Sequence, residues 1–313
     1  MTTRPIIAKP GGAVTVNGAT VASELPRPTR YTESTYSSLV QKPLPVTVTE
    51  CVEGKIVRLF SVDGIWYVAG AARVDTFDQF CTQQTGQLFC ECTTAMFENQ
   101  QLVSLLNSEV GYVFLLRPFV QLVCAVEPDL CRRLILIATE HPVGTFDYSP
   151  TELPELARRQ QHCVDSTDDL LRYLKANLLP TRVQGIVVNE TIKILFDDYV
   201  KLKQLRGTCR TLRQRYLELR CTPQLPEFLA NFSVDADSIE ESLYAVARWL
   251  HPMYLKLYVS KEPVSCFSNE RQVLQAVHKA YLATKQRTTP SKINDLMALL
   301  PAVKLERLMH SLT

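Results

Sequence analysis

Two spacings of apolar residues divide this chain. From Val46 to about Gly207 they fall in short runs of strand length, several of them β-branched. Val46–Glu50 predicts one strand. Ile56–Phe60 and Ile65–Ala69 predict a hairpin closed through Val62-Asp63-Gly64, because Asp-Gly suits the left-handed positions of a tight turn. Val110–Leu116, Val120–Val126, Leu134–Ala138, Gln184–Val188 and Ile192–Phe196 predict further strands, and Thr151–Leu179 interrupts them with a helix-like stretch. After Gly207 the apolar positions recur at three and four. Helices are predicted over Thr208–Arg220, Ser238–Leu257, Glu270–Lys285, Ser291–Leu299 and Val303–Ser311. Ser238 with Glu241 reads as a capping box, Pro252 predicts a kink or break, and Pro290 and Pro301 stand where helices begin. Leu243, Val246 and Leu250 form an apolar stripe expected in the core.

Residues 1–45 carry Pro5, Pro10, Pro26, Pro28, Pro43 and Pro45 with Gly11-Gly12, and read as an irregular arm. The expected organisation is therefore α+β: an arm over 1–45, an antiparallel-sheet domain over 46–207, and an all-helical C-terminal region over 208–313. There is no internal repeat.

Composition narrows the function classes. In 313 residues, 46% are hydrophobic and 21% charged, ordinary values for a globular chain able to bury a sizeable core. The formal net charge is only +2, so any nucleic-acid surface must arise from local clustering. No apolar run reaches the ~18 residues of a membrane span, and no secretory leader is evident. An intracellular location, cytoplasm or nucleus, is the expectation. The 10 cysteines are scattered. The closest pair in sequence is Cys90 and Cys92, no Cys-x-x-Cys occurs, and the histidines have no zinc-type spacing. The expectation is reduced, mostly buried thiols and no metal site.

The chemistry lies in an ordered set of motifs. Cys51-Val52-Glu53-Gly54 precedes a strand carrying Arg58, the Asp-Gly turn and Trp66-Tyr67. Ala72-Arg73-Val74-Asp75, Tyr112-Val113-Phe114-Leu115-Leu116-Arg117-Pro118, Gln184-Gly185-Ile186-Val187-Val188 and Tyr199-Val200-Lys201-Leu202-Lys203 follow in that order. The set resembles the motifs of the ATP-dependent RNA ligase family, over about Thr47 to Lys203. The resemblance implies a nucleotidyltransferase fold, with antiparallel sheets flanking a groove for ATP. It implies a nucleophilic lysine where Cys51 stands and a sugar-contacting glutamate where Leu115 stands. It implies a metal-holding glutamate where Gln184 stands. Glu53, Gly54, Arg58, Arg73, Lys201 and Lys203 match the nucleotide- and phosphate-binding positions, the two lysines being those that grip the triphosphate.

These departures bear on one reaction. Adenylation needs an amine nucleophile activated beside phosphate and metal. Cys51 is shorter than lysine by several bonds. Lys55 lies four residues on, about 13 Å along a strand on the same face, and cannot simply stand in for it. Gln184 keeps the size of glutamate but loses the anionic oxygen that Mg²⁺ favours, and Leu115 replaces a carboxylate with an alkyl group. The substitutions together point to a pseudoenzyme that requires no cofactor. A further basic series, Arg206, Arg210 and Arg213, extends the phosphate-binding residues toward RNA or DNA, with Tyr216 placed to stack on a base.

The favoured expectation is thus a ligase-like nucleic-acid-binding or assembly component, with the C-terminal helices as the place for a protein partner and no membrane. One alternative is an active RNA ligase using ATP and Mg²⁺ with an altered nucleophile, Cys51 or Lys55. Another is a structural subunit of a large DNA virus, located in the virion.

Overall fold

The computed structural model describes residues 6–8, 13–16, 18–32, 45–69, 73–97, 102–117, 123, 133–150, 153, 157–158, 161–164 and 183–310. The chain divides into two compact units, Met1–Lys201 and Leu202–Thr313. The boundary expected after Gly207 thus falls after Lys201. The fold is α+β, with largely antiparallel sheets in the first unit and a helical C-terminal region.

Four strands occupy the stretch expected to be irregular. β1 (Ile6–Ala8), β2 (Val14–Val16) and β3 (Ala19–Ala22) form a small antiparallel sheet, and β4 (Thr29–Thr32) joins another. Short β-branched alternations such as Val14-Thr15-Val16 suffice for a strand once Gly18, at φ 82°, turns the chain. The prolines punctuate these strands without preventing them. Val14 and Ala22 are buried against Phe60 and Ala69.

The chain continues through β5 (Val46–Cys51), β6 (Lys55–Val62), β7 (Ile65–Ala69) and β8 (Val74–Thr76). The β6–β7 hairpin closes as predicted, with Asp63 and Gly64 at φ 52° and 77° and Val62 paired to Ile65. Three helices that the sequence did not announce follow: α1 (Phe77–Cys81), α2 (Gln84–Met96) and α3 (Leu102–Leu105). Thr76 and Gln79 cap α1 reciprocally. α2 is rich in Gln, Thr and Cys, which dilutes its apolar period. Its inward face is nevertheless real, since Phe89 and Cys92 are fully buried with Phe80 in the core that lines β6, β7 and β9.

β9 (Gly111–Leu116), β10 (Leu134–Glu140), β11 (Phe146–Asp147), β12 (Ala157–Arg158) and β13 (Gln161–Val164) come next, then β14 (Gly185–Val188) and β15 (Ile192–Leu195). One sheet has the order β11-β10-β9-β6-β7-β8 with β12 parallel to β10; the other runs β13-β5-β14-β15-β4, its β15–β4 pair parallel. β12 and β13 lie where Thr151–Leu179 was expected to be helical, so the first half of that expectation is corrected. Asp168–Leu174 and most of Val120–Val126 lie outside the described residues.

An irregularity in β10 sets a side-chain direction that matters below. Leu136 pairs with Phe114, yet Ala138 pairs with Val113, so Ile137 and Ala138 together oppose one residue. Such a bulge moves every later side chain to the opposite face. Leu134 and Leu136 face the core of Phe89 and Phe114. After the bulge, Ala138 and Glu140 lie on the face of Val113 and its other neighbour, Arg58.

α4 (Asp197–Arg206) contains the division between the units. The second unit continues with α5 (Leu212–Leu219), α6 (Leu225–Asn231), α7 (Ala236–Tyr254), α8 (Ser268–Thr284), α9 (Pro290–Met297) and α10 (Ala302–His310). Leu243, Val246 and Leu250 of α7 are fully buried, and α7 packs most extensively on α9. Pro252 does not break α7. The helix runs to Tyr254 and opens into a π-helical turn over Leu255–Ser260. Nor does Ser238 cap it. Asp235 does, its carboxylate accepting from the Ser238 amide at 3.0 Å, so α7 begins before the predicted box.

Asp235→Ala should therefore cost about 1 kcal/mol of stability, while Ser238→Ala stays within about 0.5 kcal/mol of wild type. Urea unfolding of the full chain followed by circular dichroism decides between the two caps.

Candidate functional site

The positions that carry the ligase resemblance meet where β5 ends and β14 begins. Val46 and Val48 of β5 point into the core of the five-stranded sheet with Ile186, Ile192 and Ile194. Thr49 and Cys51 take the other face, where Cys51 pairs with Gly185. A side chain at Gly185 is impossible: it sits at φ 154°, and a Cβ would lie 1.9 Å from the Ile194 carbonyl oxygen. Cys51 itself is buried, only 7% exposed.

Gln184 is held on three sides. Its backbone N–H donates to the Cys51 carbonyl at 2.9 Å. Its side-chain nitrogen donates to the Val52 carbonyl at 2.9 Å, and its oxygen accepts from Lys193 Nζ at 2.8 Å. Because an ammonium can only donate, Lys193 fixes which end of the amide is oxygen. That oxygen, the one that would hold a metal, already faces a cation. The residues present therefore do not fit a magnesium ion at this position. Among the described residues no group of three or more His, Cys, Asp and Glu side chains could hold a metal ion.

Glu53 anchors the turn into β6. Its two oxygens accept from the Val123 N–H at 2.8 Å and from the Tyr199 hydroxyl at 3.0 Å. Gly54 follows because nothing larger fits: a Cβ there would lie 2.6 Å from the Leu116 carbonyl and 2.9 Å from Leu115 Cγ. Leu115, only 7% exposed, thus stands against the glycine of the motif. The structure therefore gathers Cys51, Glu53, Gly54, Leu115 and Gln184, and adds Lys193 and Tyr199. Lys55 is exposed at the start of β6.

Arg58 is elsewhere, and the expectation that it presents a groove cation is corrected. It is 6% exposed and pairs with Glu140, itself 4% exposed, at 2.9 Å. The β10 bulge is what turns Glu140 to this face. Glu140 also accepts from the backbone N–H groups of Ser23 and Gly144, at 2.9 and 2.8 Å, and from the Ser23 hydroxyl. The Phe146 ring lies 5.9 Å from the guanidinium. Burial pulls the Arg58 guanidinium below its ordinary value, opposed by the carboxylate.

The remaining cations divide by exposure. Arg73 is exposed and paired to Asp75 at 2.7 Å. Lys201 and Lys203 lie on α4 and are both exposed, Lys201 within 3.4 Å of Asp198. Two residues apart on a helix, their side chains diverge by about 200°, whereas on a strand they would share a face. Arg206 is buried, donating to the Cys209 carbonyl at 3.0 Å, so it is not a nucleic-acid contact. Arg210 is exposed but precedes α5, which starts at Leu212, and so does not share a helical face with Arg213. Arg213 is half-buried, its guanidinium 3.3 Å from the Met309 sulfur. Tyr216 is buried and donates to Glu240 at 2.8 Å, which removes it as a stacking residue. Burial, then that bond, pushes its phenol well up from its usual value.

Lys193 and Glu140 were not anticipated. The signal for Glu140 was a lone carboxylate ending an otherwise apolar strand; Lys193 offered none beyond its alternation with Ile192 and Ile194.

No family model matches the chain, and no curated protein matches it. Among solved structures it is similar to a putative ATP-dependent DNA ligase from Aquifex aeolicus. The TM-score is 0.44 at 11% identity, over 93% of this chain and 68% of that one. Among the described residues, no helix is long and apolar enough to cross a membrane.

The buried pair should be asymmetric. Removing Arg58 leaves Glu140 its amide and hydroxyl donors; removing Glu140 leaves a buried guanidinium and strips those donors of their acceptor. Arg58→Met should cost about 2–3 kcal/mol and Glu140→Leu about 4–5 kcal/mol in urea unfolding. Equal or reversed costs would show that Glu140 is not the centre of this network.

Proposed function

We propose that the chain is a ligase-like nucleotidyltransferase fold that no longer transfers adenylate and acts by binding, as a nucleic-acid-binding or assembly component. One observation carries the reading: Leu115 is packed against Gly54, beside a buried Cys51 and a Gln184 whose oxygen is engaged by Lys193. At the three positions where the resemblance calls for an amine and two carboxylates, the side chains are a thiol, an alkyl group and an amide. Each change removes a separate requirement of the reaction: nucleophile, sugar contact and metal.

Binding to polynucleotide phosphate asks less, because exposed cations suffice to hold a backbone without any catalysis. Arg73, Lys201, Lys203 and Arg210 are the exposed cations among the residues of the resemblance and its basic extension. The assembly half of the reading rests on the second unit, where the apolar side chains of Phe267, Leu299 and Val259 are 77%, 80% and 65% exposed.

Incubation with α-labelled ATP and Mg²⁺ or Mn²⁺, followed by a denaturing gel, is expected to give no covalent adduct. An adduct lost in Cys51→Ala, Lys55→Ala or Lys193→Ala overturns the reading in favour of a ligase with an altered nucleophile. In parallel, Lys201→Ala/Lys203→Ala should weaken binding to labelled single-stranded RNA and lower the salt slope by about 1 to 2. Unchanged affinity would remove α4 from the binding surface.

A further inference from the structure

We propose that Cys81 and Cys90 are a redox modification site, forming a reversible disulfide by exchange with a small-molecule disulfide of the glutathione class. The two sulfurs lie 2.6 Å apart, one at the end of α1 and the other in the middle of α2.

The approach is built into the local fold. α1 and α2 meet at Gly86, where a Cβ would lie 1.8 Å from the Phe80 carbonyl oxygen and 2.9 Å from Cys81 Cα. Only glycine lets the backbones come this close. Cys90 is one helical turn beyond Gly86, hence on the same face of α2, looking at the same end of α1. Phe80 and Phe89, the residues preceding each cysteine, are buried in the core and hold both helices to it. Their rings meet edge-on with centroids 5.9 Å apart. The pair is thus held in register by aromatic packing on one side and glycine contact on the other. Cys92, nearest to Cys90 in sequence, is fully buried and points about 200° away around α2.

Access and chemistry agree with this geometry. Cys81 and Cys90 are each half-buried, open enough for a small reagent. Burial, then the contact with Cys90, pushes the Cys81 thiol up to about 12. A thiol so raised forms the attacking thiolate slowly, so the exchange is slow at neutral pH and faster in alkaline solution. The balanced step is two exchanges. One cysteine, losing its proton to solvent, attacks the reagent disulfide, forms a mixed disulfide and releases one thiol. The second cysteine, likewise deprotonated, attacks the mixed disulfide, closes the Cys81–Cys90 bond and releases a second thiol. Two electrons pass to the reagent, and excess thiol reverses both steps.

The test is a peptide map of the full-length protein. The protein is exposed to glutathione disulfide or to dithiothreitol, alkylated after denaturation and cleaved after glutamate. Gly54–Glu91 is then released with Cys81 and Cys90 as its cysteines. The expected result after glutathione disulfide is an unalkylated peptide, lighter by two hydrogens than the dithiol form and restored by dithiothreitol. Two alkylated cysteines, or glutathione retained on either one, would overturn the proposal. Oxidation should also raise the thermal midpoint by about 5 °C through closure of the short loop, and Cys90→Ser should abolish the rise. A rise that persists in Cys90→Ser assigns the effect elsewhere and counts against the pair. Neither readout depends on ligase ancestry, so this inference and the proposed function fail separately.

Discussion

The buried carboxylate of Glu140 is the constraint on which the larger sheet of the first unit depends. A charge in that position is tolerable only if every one of its lone pairs is used. Arg58 brings the opposite charge from β6, Gly144 a backbone amide from the turn after β10, and Ser23 an amide and a hydroxyl from far earlier in the chain. Three segments distant in sequence are thereby fixed to one another. The arrangement exists because β10 carries a bulge. Were β10 to alternate regularly through Ile137, Glu140 would share the face of Leu134 and Leu136, the apolar one that contains Phe89 and Phe114.

Much of the fold was legible in the sequence, in proportion to how regular its apolar spacing is. Strand existence was legible wherever β-branched runs were long, as in β6, β9, β10 and β14, and the Asp63-Gly64 turn was legible from two residues. The helical C-terminal region was equally plain from its three- and four-residue spacing. Less visible were α1 and α2, whose polar and cysteine-rich composition hides an inward face of only a few side chains. β1 to β4 were obscured by the prolines that separate them. Element boundaries erred where competing caps were available, as Asp235 against Ser238.

The site was legible in a different sense. Strand pairing sets Cys51 beside Gln184 and Gly185, and Gly54 lies against Leu115, positions that motif order had singled out. Motif identity misled for single cations, because a sequence does not say which charges are exposed. Arg58 and Arg206 are held inside, and their roles are given by Glu140 and the Cys209 carbonyl, partners far off or without side-chain signature. Lys193 illustrates the converse. An unremarkable strand lysine becomes the residue that fixes the amide of Gln184, because β14 and β15 lie side by side.

The contact between Leu115 and Gly54 has a consequence for how this region can change. A side chain at Gly54 would meet the Leu116 carbonyl at 2.6 Å and Leu115 Cγ at 2.9 Å, so residue 54 can grow only if β9 shifts. A glutamate at 115 would set a carboxylate against that same closely approached backbone, in space now filled by an alkyl group. The amide of Gln184 is tied in turn to the Val52 carbonyl and the Lys193 ammonium, so its replacement would leave two partners unmet. Each side chain is fitted to the others, and such positions accept change together more readily than singly.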